Sequence, residues 1–252
     1  MNEACFYLPQ TCWGQDVQLE GKEAKHLINV LRLAPGCEVC LLDGQGRVGR
    51  FVIRKIRNTD VLLERLEERL VPRPASQAIL ALAFSKAVRR GFFIEKAVEF
   101  GAYAIWIWQA DHSHGKLSPT ARQSLLSQLT ACAKQCRNPW VPEIRTLHAG
   151  IHEVVELSTG AEHLLLLWEM QENVQMLSQD AVGQQGLSVY IIGPEGGFSQ
   201  RELTTLRTAK FRTFSLGARI LRCETAATLC LGIHWWAAQL HNNSGKYTGM
   251  LS

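Results

Sequence analysis

The chain has 252 residues, 46% of them hydrophobic and 20% charged, and its 27 Lys+Arg against 23 Asp+Glu leave a net charge of +4. That length supports one large domain or two ordinary ones, and the composition is that of a soluble globular protein. The mild basicity permits a polyanionic partner without establishing one, no stretch is apolar enough to span a bilayer, and Glu3 and Cys5 stand where a signal peptide would begin. Eight cysteines read as reduced, mostly buried thiols, so a cytoplasmic location is expected.

The first seventy residues read as β-rich. Phe6-Tyr7-Leu8 is a short apolar run before Pro9; Glu38 to Leu42 and Gly49 to Ile56 alternate apolar and polar around the turn Asp43-Gly44-Gln45-Gly46, and Val61-Leu62-Leu63 begins a further strand. One helix is predicted over Lys22 to Leu31, with Ala24, Leu27, Ile28 and Leu31 on its apolar face, and Pro35-Gly36 ends it. Short strands with one helix imply a small, partly closed barrel. Arg47, Arg50, Arg54, Lys55 and Arg57 come with no intervening acid, and Lys22, Lys25, His26 and Arg32 add charge around the helix. A solvated strand face and a phosphate-contacting surface both fit the run at 47–57, while Glu64, Glu67 and Glu68 nearly cancel it.

Val71-Pro72-Arg73-Pro74 marks a domain boundary. Beyond it the pattern alternates: a strand over Ala78 to Phe84, a helix over Gly91 to Phe100, a strand over Tyr103 to Trp108, and a long helix to Cys136 with Ser118 as N-cap and Pro119 in the first turn. After a connecting segment containing Pro139 and Pro142 come strands at His163 to Trp168, Leu187 to Ile192 and Phe211 to Leu216, then a closing helix from Glu224 to His241. This order predicts a largely parallel sheet with helices on both faces. The division is therefore 1–71, a linker at 72–74, a second domain over 75–241, and a frayed tail over 242–252.

Two stretches of the second domain stand out. Apolar runs end abruptly in Gly193-Pro194-Glu195-Gly196-Gly197-Phe198-Ser199 and in Leu216-Gly217-Ala218-Arg219-Ile220-Leu221-Arg222-Cys223-Glu224-Thr225-Ala226, and a helix-forming segment follows each. Neither matches a nucleotide triphosphate cradle or a dinucleotide fingerprint. Two strand–loop–helix junctions of this kind suit one pocket of bare backbone with Ile192, Leu216 and Leu221 as apolar walls, fit for a nucleoside-like ligand.

These two stretches together resemble the SPOUT-class RNA methyltransferases and, within them, the RsmE family, which methylates N3 of a uridine in 16S ribosomal RNA. The likeness extends to Asn29-Val30-Leu31-Arg32-Leu33 and Asp43-Gly44-x-Gly46 in a PUA-like N-terminal barrel, to Lys86, Lys96, Glu99 and Gly101, and to Val141-Pro142-Glu143-Ile144. The resemblance implies a PUA-like RNA-binding β-barrel domain followed by a SPOUT α/β domain with a C-terminal trefoil knot. It also implies bound S-adenosyl-L-methionine and a homodimer acting on the small ribosomal subunit, with no metal. Carried over, the cofactor positions are Leu167, Trp168, Ile192, Gly193, Glu195, Gly197, Leu216, Gly217, Leu221 and Thr225. The RNA candidates are local basic clusters, Lys22, Lys25 and Arg32, then Lys86, Arg89 and Arg90, with Arg219 beside the pocket; Arg201, Arg207, Lys210 and Arg212 form a further cluster that a solvated helix face explains equally well.

Uracil N3 is a weakly acidic imide, so attack on a sulfonium methyl needs proton loss and a cation for the developing anion. Arg222 and Glu224 are the catalytic candidates: Arg222 as that cation, or as a phosphate contact or helix cap, and Glu224 as acid/base, or as a helix N-terminal residue meeting the dipole. Thr225 either touches the cofactor or caps the last helix, and no general base is assigned. Asp111, His112 and His114 read as loop residues or a metal set, Cys132 and Cys136 as core, Trp106 and Trp108 as core, dimer or base-stacking residues, and Trp235 and Trp236 as packing within or between subunits. The chain departs from the family at Asp111-His112-Ser113, at Gly91 and at Lys134-Gln135-Cys136-Arg137-Asn138. The alternatives are another RNA target of the same fold, or a non-catalytic ribosome-assembly module.

Overall fold

The computed structural model describes residues 3–14, 17–85, 92–115, 121–168 and 174–242. Two compact units emerge, one of Met1–Arg73 with Leu129–Val141 and one of Pro74–Gln128 with Pro142–Ser252. Residues 129–141, placed in the second domain by the sequence pattern, thus group with the first unit. The reason is local bonding. Lys134 Nζ donates to Glu23 Oε1 at 2.7 Å, Arg137 donates to the Glu3 carbonyl at 2.8 Å, and the Gly46 amide donates to the Pro139 carbonyl at 2.9 Å. Gly46 has φ +98°, and a Cβ there would lie 2.3 Å from the Trp140 ring, so only glycine admits this approach.

The first unit is a five-stranded sheet in the order β1 (Ala4–Tyr7), β3 (Glu38–Leu42), β4 (Arg47–Ile56), β5 (Asp60–Leu70), β2 (Val17–Glu20). β1 runs parallel to β3; the other pairs are antiparallel. Alternate strand residues Phe6, Val39, Leu41, Phe51, Ile53, Val61 and Leu63 meet Ala24 and Leu27 in one core. The predicted helix over 22–31 is instead a short α1 (Gly21–Lys25) that widens into a π-helical turn over His26–Val30, with the Leu31 amide reaching back five residues to His26. The wider turn carries Leu31 off the buried face, so Val30 and Leu31 stand 65% and 40% exposed, and Arg32 closes the turn at φ +52°.

Of the five cations of the run at 47–57, the four arginines are ion-paired, while exposed Lys55 has no ion pair among the described residues. Arg47 meets Glu68, Arg50 meets Glu67 and Glu38, Arg54 meets Glu64, and Arg57 meets Asp60. The antiparallel register sets Arg50 opposite Glu67, so the acids of β5 and Glu38 of β3 neutralise most of this face.

The second unit is an all-parallel six-stranded sheet in the order β11 (Arg212–Phe214), β9 (His163–Leu167), β10 (Gly186–Ile192), β6 (Ser76–Ala83), β7 (Ala104–Trp108), β8 (Glu143–Leu147). Ile79, Ala81, Ala83, Trp106, Trp108, Val189 and Ile191 face α4 (Ile151–Leu157) and α5 (Gln200–Thr208). The opposite face carries α6 (Cys223–Asn242), which packs with α2 (Phe92–Glu99) and against β6 and β10. β8 and α4 lie where the sequence pattern shows only a connecting segment: Glu-Ile-Arg-Thr-Leu is half polar because β8 is an edge strand. α3 spans Ala121–Cys136; Ser118 and Pro119 lie outside the described residues.

One polar link ties α6 to the sheet. His234, buried, shares hydrogen bonds at Nδ1 with the Tyr190 hydroxyl (2.8 Å) and at Nε2 with the Ser76 hydroxyl (3.1 Å). Burial, with a smaller contribution from His163, lowers the His234 pKa to about 4, so the ring is neutral near pH 7. Three of the eight cysteines are buried, Cys40, Cys223 and Cys230; four are half-buried and Cys12 is exposed, so the expectation of mostly buried thiols is corrected, while all eight are free.

Candidate functional site

β10 and β11 end on the same edge of the sheet, each followed by a glycine-bearing loop and a helix. The first loop, residues 193–199, turns at Gly197 (φ +72°) and closes with a bond from the Gly197 amide to the Pro194 carbonyl at 2.9 Å. A Cβ on Gly193 would lie 2.7 Å from the Phe198 ring, and Phe198 is held in place by stacking on Trp108 at 6.0 Å and 17°. The loop ends in a capping box: Ser199 Oγ accepts from the Glu202 amide while the Glu202 carboxylate accepts from the Ser199 amide. The second loop, residues 215–222, turns at Gly217 (φ +119°), whose amide donates to Ser215 Oγ at 3.1 Å. The strand-like bridge from Met176 to Ser215 braces it from outside.

The two loops enclose a cavity of about 230 Å³. Its apolar walls are Leu167, Ile192, Leu216 and Leu221, with Trp168 at the end of β9. Gly193, Glu195, Gly197 and Gly217 supply backbone and one acid, and Arg219 and Arg222 stand exposed at its margin. Thus nine of the ten cofactor positions taken from the sequence come together on one cavity. Thr225 does not: it is exposed on the first turn of α6, away from the cavity walls. Glu224 is also off the walls, beside Cys223, whose thiol donates to Glu224 Oε2 at 3.3 Å. Burial first, and the neighbouring Glu224, push the Cys223 pKa up to about 11 against the opposing bond with Ser85, so this wall residue is a thiol rather than a thiolate.

Phe198, Ile220, Cys223, Pro194 and Ala226 also line the cavity, and sequence reasoning missed them as wall residues. Pro194 and Phe198 are signalled by adjacency to the glycines, whereas Ile220, Cys223 and Ala226 lie three, six and nine residues beyond Gly217 and carry no such signal. Of the RNA positions, Lys22, Lys25 and Arg32 are exposed around α1 and the π-turn, whereas Lys86, Arg89 and Arg90 lie outside the described residues. Arg201 is ion-paired with Asp111, Arg207 lies over the Trp168 ring at 5.9 Å, and Arg212 over Phe214 at 5.0 Å. Trp106 and Trp108 are buried in the sheet core. Trp235 and Trp236 are exposed, which removes the reading of internal packing for Trp236 at 58% exposure; Trp235 leans on Phe100 at 6.0 Å. Among the described residues no group of three His, Cys, Asp or Glu side chains gathers as a metal set.

Residues 72–235 match the RNA methyltransferase domain family, and residues 19–64 match the RNA methyltransferase PUA domain. The chain belongs to the RNA methyltransferase family. It is 32% identical over 221 residues to ribosomal RNA small subunit methyltransferase E of Synechocystis sp., covering 85% of this chain and 71% of that protein. To the methyltransferase of the same name from Mycobacterium bovis it is 29% identical over 235 residues, covering 89% and 87%. The crystal structure of ribosomal RNA small subunit methyltransferase E from Neisseria gonorrhoeae bound to S-adenosyl methionine superposes with a TM-score of 0.81 at 25% identity, covering 92% of this chain and 96% of that one.

Proposed function

We propose that this chain transfers the methyl group of S-adenosylmethionine to N3 of a uridine in the 16S ribosomal RNA of the small subunit. The observation that carries the reading is the convergence of two glycine loops, 24 residues apart in sequence counting from Gly193 to Gly217, on one backbone-lined cavity. The relatives that share the fold are small-subunit ribosomal RNA methyltransferases, and the Neisseria protein holds S-adenosyl methionine.

The residues present suit that cofactor. Leu167, Ile192, Leu216 and Leu221 offer apolar walls for an adenine face, unencumbered backbone at Gly193, Gly197 and Gly217 allows close approach, and the Glu195 carboxylate is available to a cationic end. The cofactor, when bound, supplies an electrophilic methyl group on sulfonium sulfur. The protein's task is then to hold the uracil ring in line and to favour its imide anion. Arg222, exposed at the cavity margin, is the group that stabilises charge developing on uracil as the N3 proton leaves. Glu224, turned toward Cys223 and off the walls, fits the helix N-terminal role better than acid/base work.

For RNA, the exposed cations Lys22, Lys25 and Arg32 beside exposed Val30 and Leu31 form a better contact face than the neutralised β4–β5 ribbon. The subunit interface is assigned to α6, where Leu229, Trp236 and Leu240 form an exposed stripe at helical spacing with Trp235 beside it. A cytoplasmic location belongs to the same reading, since the RNA it would act on is there. Among the described residues no helix is long and apolar enough to cross a membrane. The C-terminal trefoil knot belongs to the same reading. Nucleoside mass spectrometry of 16S RNA, after incubating under-methylated small subunits with protein and S-adenosylmethionine, tests the reaction. Appearance of 3-methyluridine is expected; methylation at a ribose or another base atom would replace the assigned acceptor, and no methylation would remove the activity.

A further inference from the structure

The loop that follows β7, residues 109–115, is fastened to the first glycine loop at several points, although the two are more than eighty residues apart in sequence. His112 Nδ1 lies 3.2 Å from the Gly196 carbonyl oxygen and 3.1 Å from that of Gly197. Both partners are acceptors, so Nδ1 carries the proton and donates to the pair. The contact is also steric, because a Cβ on Gly196 would sit 2.9 Å from the Cβ of His112. Asp111 completes the fastening. Its Oδ2 accepts from the Ser199 hydroxyl at 2.6 Å, its Oδ1 accepts from Arg201 at 2.6 Å, and its amide donates to the buried Glu202 carboxylate at 2.9 Å. Glu202 accepts from the Ser199 amide with its other oxygen, so one carboxylate bridges the two loops.

The consequence for the cavity follows from peptide geometry. In a trans peptide the carbonyl and the next amide point in opposite directions. With the Gly197 carbonyl drawn toward His112, the Phe198 N–H leaves on the other side. Gly197 and Phe198 line the cavity while His112 does not, and the Phe198 amide has no protein partner among the described residues. An amide so held is a ready donor for a ligand atom.

We propose that Asp111 and His112 are positioning residues for the methyl donor: by holding Gly196, Gly197 and Ser199 they aim the Phe198 amide into the cavity and set the affinity for the donor. The inference rests on the cavity being the S-adenosylmethionine site. It assigns a task to Asp111 and His112, which the sequence alone leaves as loop residues or part of a metal set. The missing side chain of Gly196 leaves the room in which His112 reaches the Gly196 and Gly197 carbonyls.

The test compares S-adenosylmethionine binding by titration calorimetry in the wild type, His112→Ala, His112→Asn, Asp111→Asn and Gly196→Ala. The asparagine amide places an N–H where Nδ1 stands, so His112→Asn should keep affinity within about twofold of wild type. His112→Ala and Gly196→Ala should each weaken binding by about fivefold to tenfold, the loss expected for one oriented hydrogen bond. Asp111→Asn retains an acceptor for Ser199 but loses the charge that draws Arg201, and should fall between. Turnover measured alongside should show the loss in KM for the donor with kcat little changed, a split that general destabilisation does not give. Equal affinity in wild type and His112→Ala, or equal weakening in the alanine and asparagine variants at matched thermal stability, would overturn the proposal. Absence of binding by the wild type itself would instead overturn the assignment of the cavity.

Discussion

The β4–β5 ribbon of the first unit and the two-loop cavity of the second both carry arginines, and they use them in opposite ways. On the ribbon, Arg47, Arg50, Arg54 and Arg57 each meet a carboxylate, so four of the five cations of the run are offset before a phosphate arrives. At the cavity, Arg219 and Arg222 stand exposed next to bare glycine backbone. The difference teaches that a run of basic residues is informative only once its partners are known. A sequence shows the charges; the register decides whether they cancel.

The comparison breaks most sharply at Arg222. Arg222→Ala should reduce kcat by about a hundredfold or more, the scale of removing one charge-stabilising donor, while S-adenosylmethionine affinity changes little. Single-turnover methylation of small subunits with calorimetry in parallel checks this. An unchanged kcat would return Arg222 to a capping or phosphate role.

Next in size is an acid effect confined to the second unit. His234 is held neutral between Tyr190 and Ser76 with its pKa lowered to about 4, against an ordinary value of 6.5. Because the folded pKa lies below the unfolded one, the unfolded chain binds the proton first. Stability is full above about pH 6.5, declines as pH falls from there toward 4, and levels below it, a loss on the order of 3 kcal/mol. Chemical denaturation across pH 4 to 8 should show this fall, and His234→Gln should flatten it. The ion pairs of the ribbon are solvent-facing and contribute little to that window.

Smaller again is the effect of the exposed cations of the first unit. The triple variant Lys22→Ala, Lys25→Ala, Arg32→Ala should weaken RNA binding by about tenfold at moderate salt. Its salt dependence should become shallower by about one unit of slope for each phosphate that is no longer neutralised. The smallest effect belongs to the ribbon: exchanging Arg50 and Glu67 should shift stability by no more than about 0.5 kcal/mol and leave RNA affinity unchanged within about twofold. If the exchange weakened RNA binding as much as the triple variant does, the contrast between the two faces would collapse.

Much of the second unit was legible because parallel strands buried on both faces leave near-continuous apolar runs. Leu187 to Ile192 lies within β10, which starts one residue earlier at Gly186, and the closing helix begins at Cys223, one residue before the predicted Glu224. The edge strand β8 escaped because Glu143, Arg145 and Thr146 break its pattern, and β2 because four residues, Val-Gln-Leu-Glu, are too few to mark a period. The π-turn at His26–Val30 has the same residues a regular helix would have; only the tertiary demand to bury Leu27 while turning into Arg32 distinguishes it. The cavity walls were largely readable from the glycines. The fastening of Asp111 and His112 was not, since it joins residues eighty-four or more apart whose partners are backbone carbonyls, a hydroxyl and a guanidinium rather than a sequence motif. Thr225, read as a cofactor contact or a helix cap, and Glu224, read as acid/base or a helix N-terminal residue, both lie off the cavity walls for a simple reason: α6 begins at Cys223, and its first turn presents Cys223 and Ala226 inward instead.

The most direct measurement is the calorimetric titration of S-adenosylmethionine into the wild-type chain and into Gly193→Val, with circular dichroism confirming that both are folded. A branched side chain at residue 193 meets the Phe198 ring, which starts 2.7 Å from an added Cβ, and spoils the first loop without touching the ribbon. One donor molecule bound per wild-type chain, with binding abolished in the folded variant, is the predicted result. No binding by the wild type, or equal binding by the variant, would contradict the assignment of the two glycine loops as the methyl-donor site.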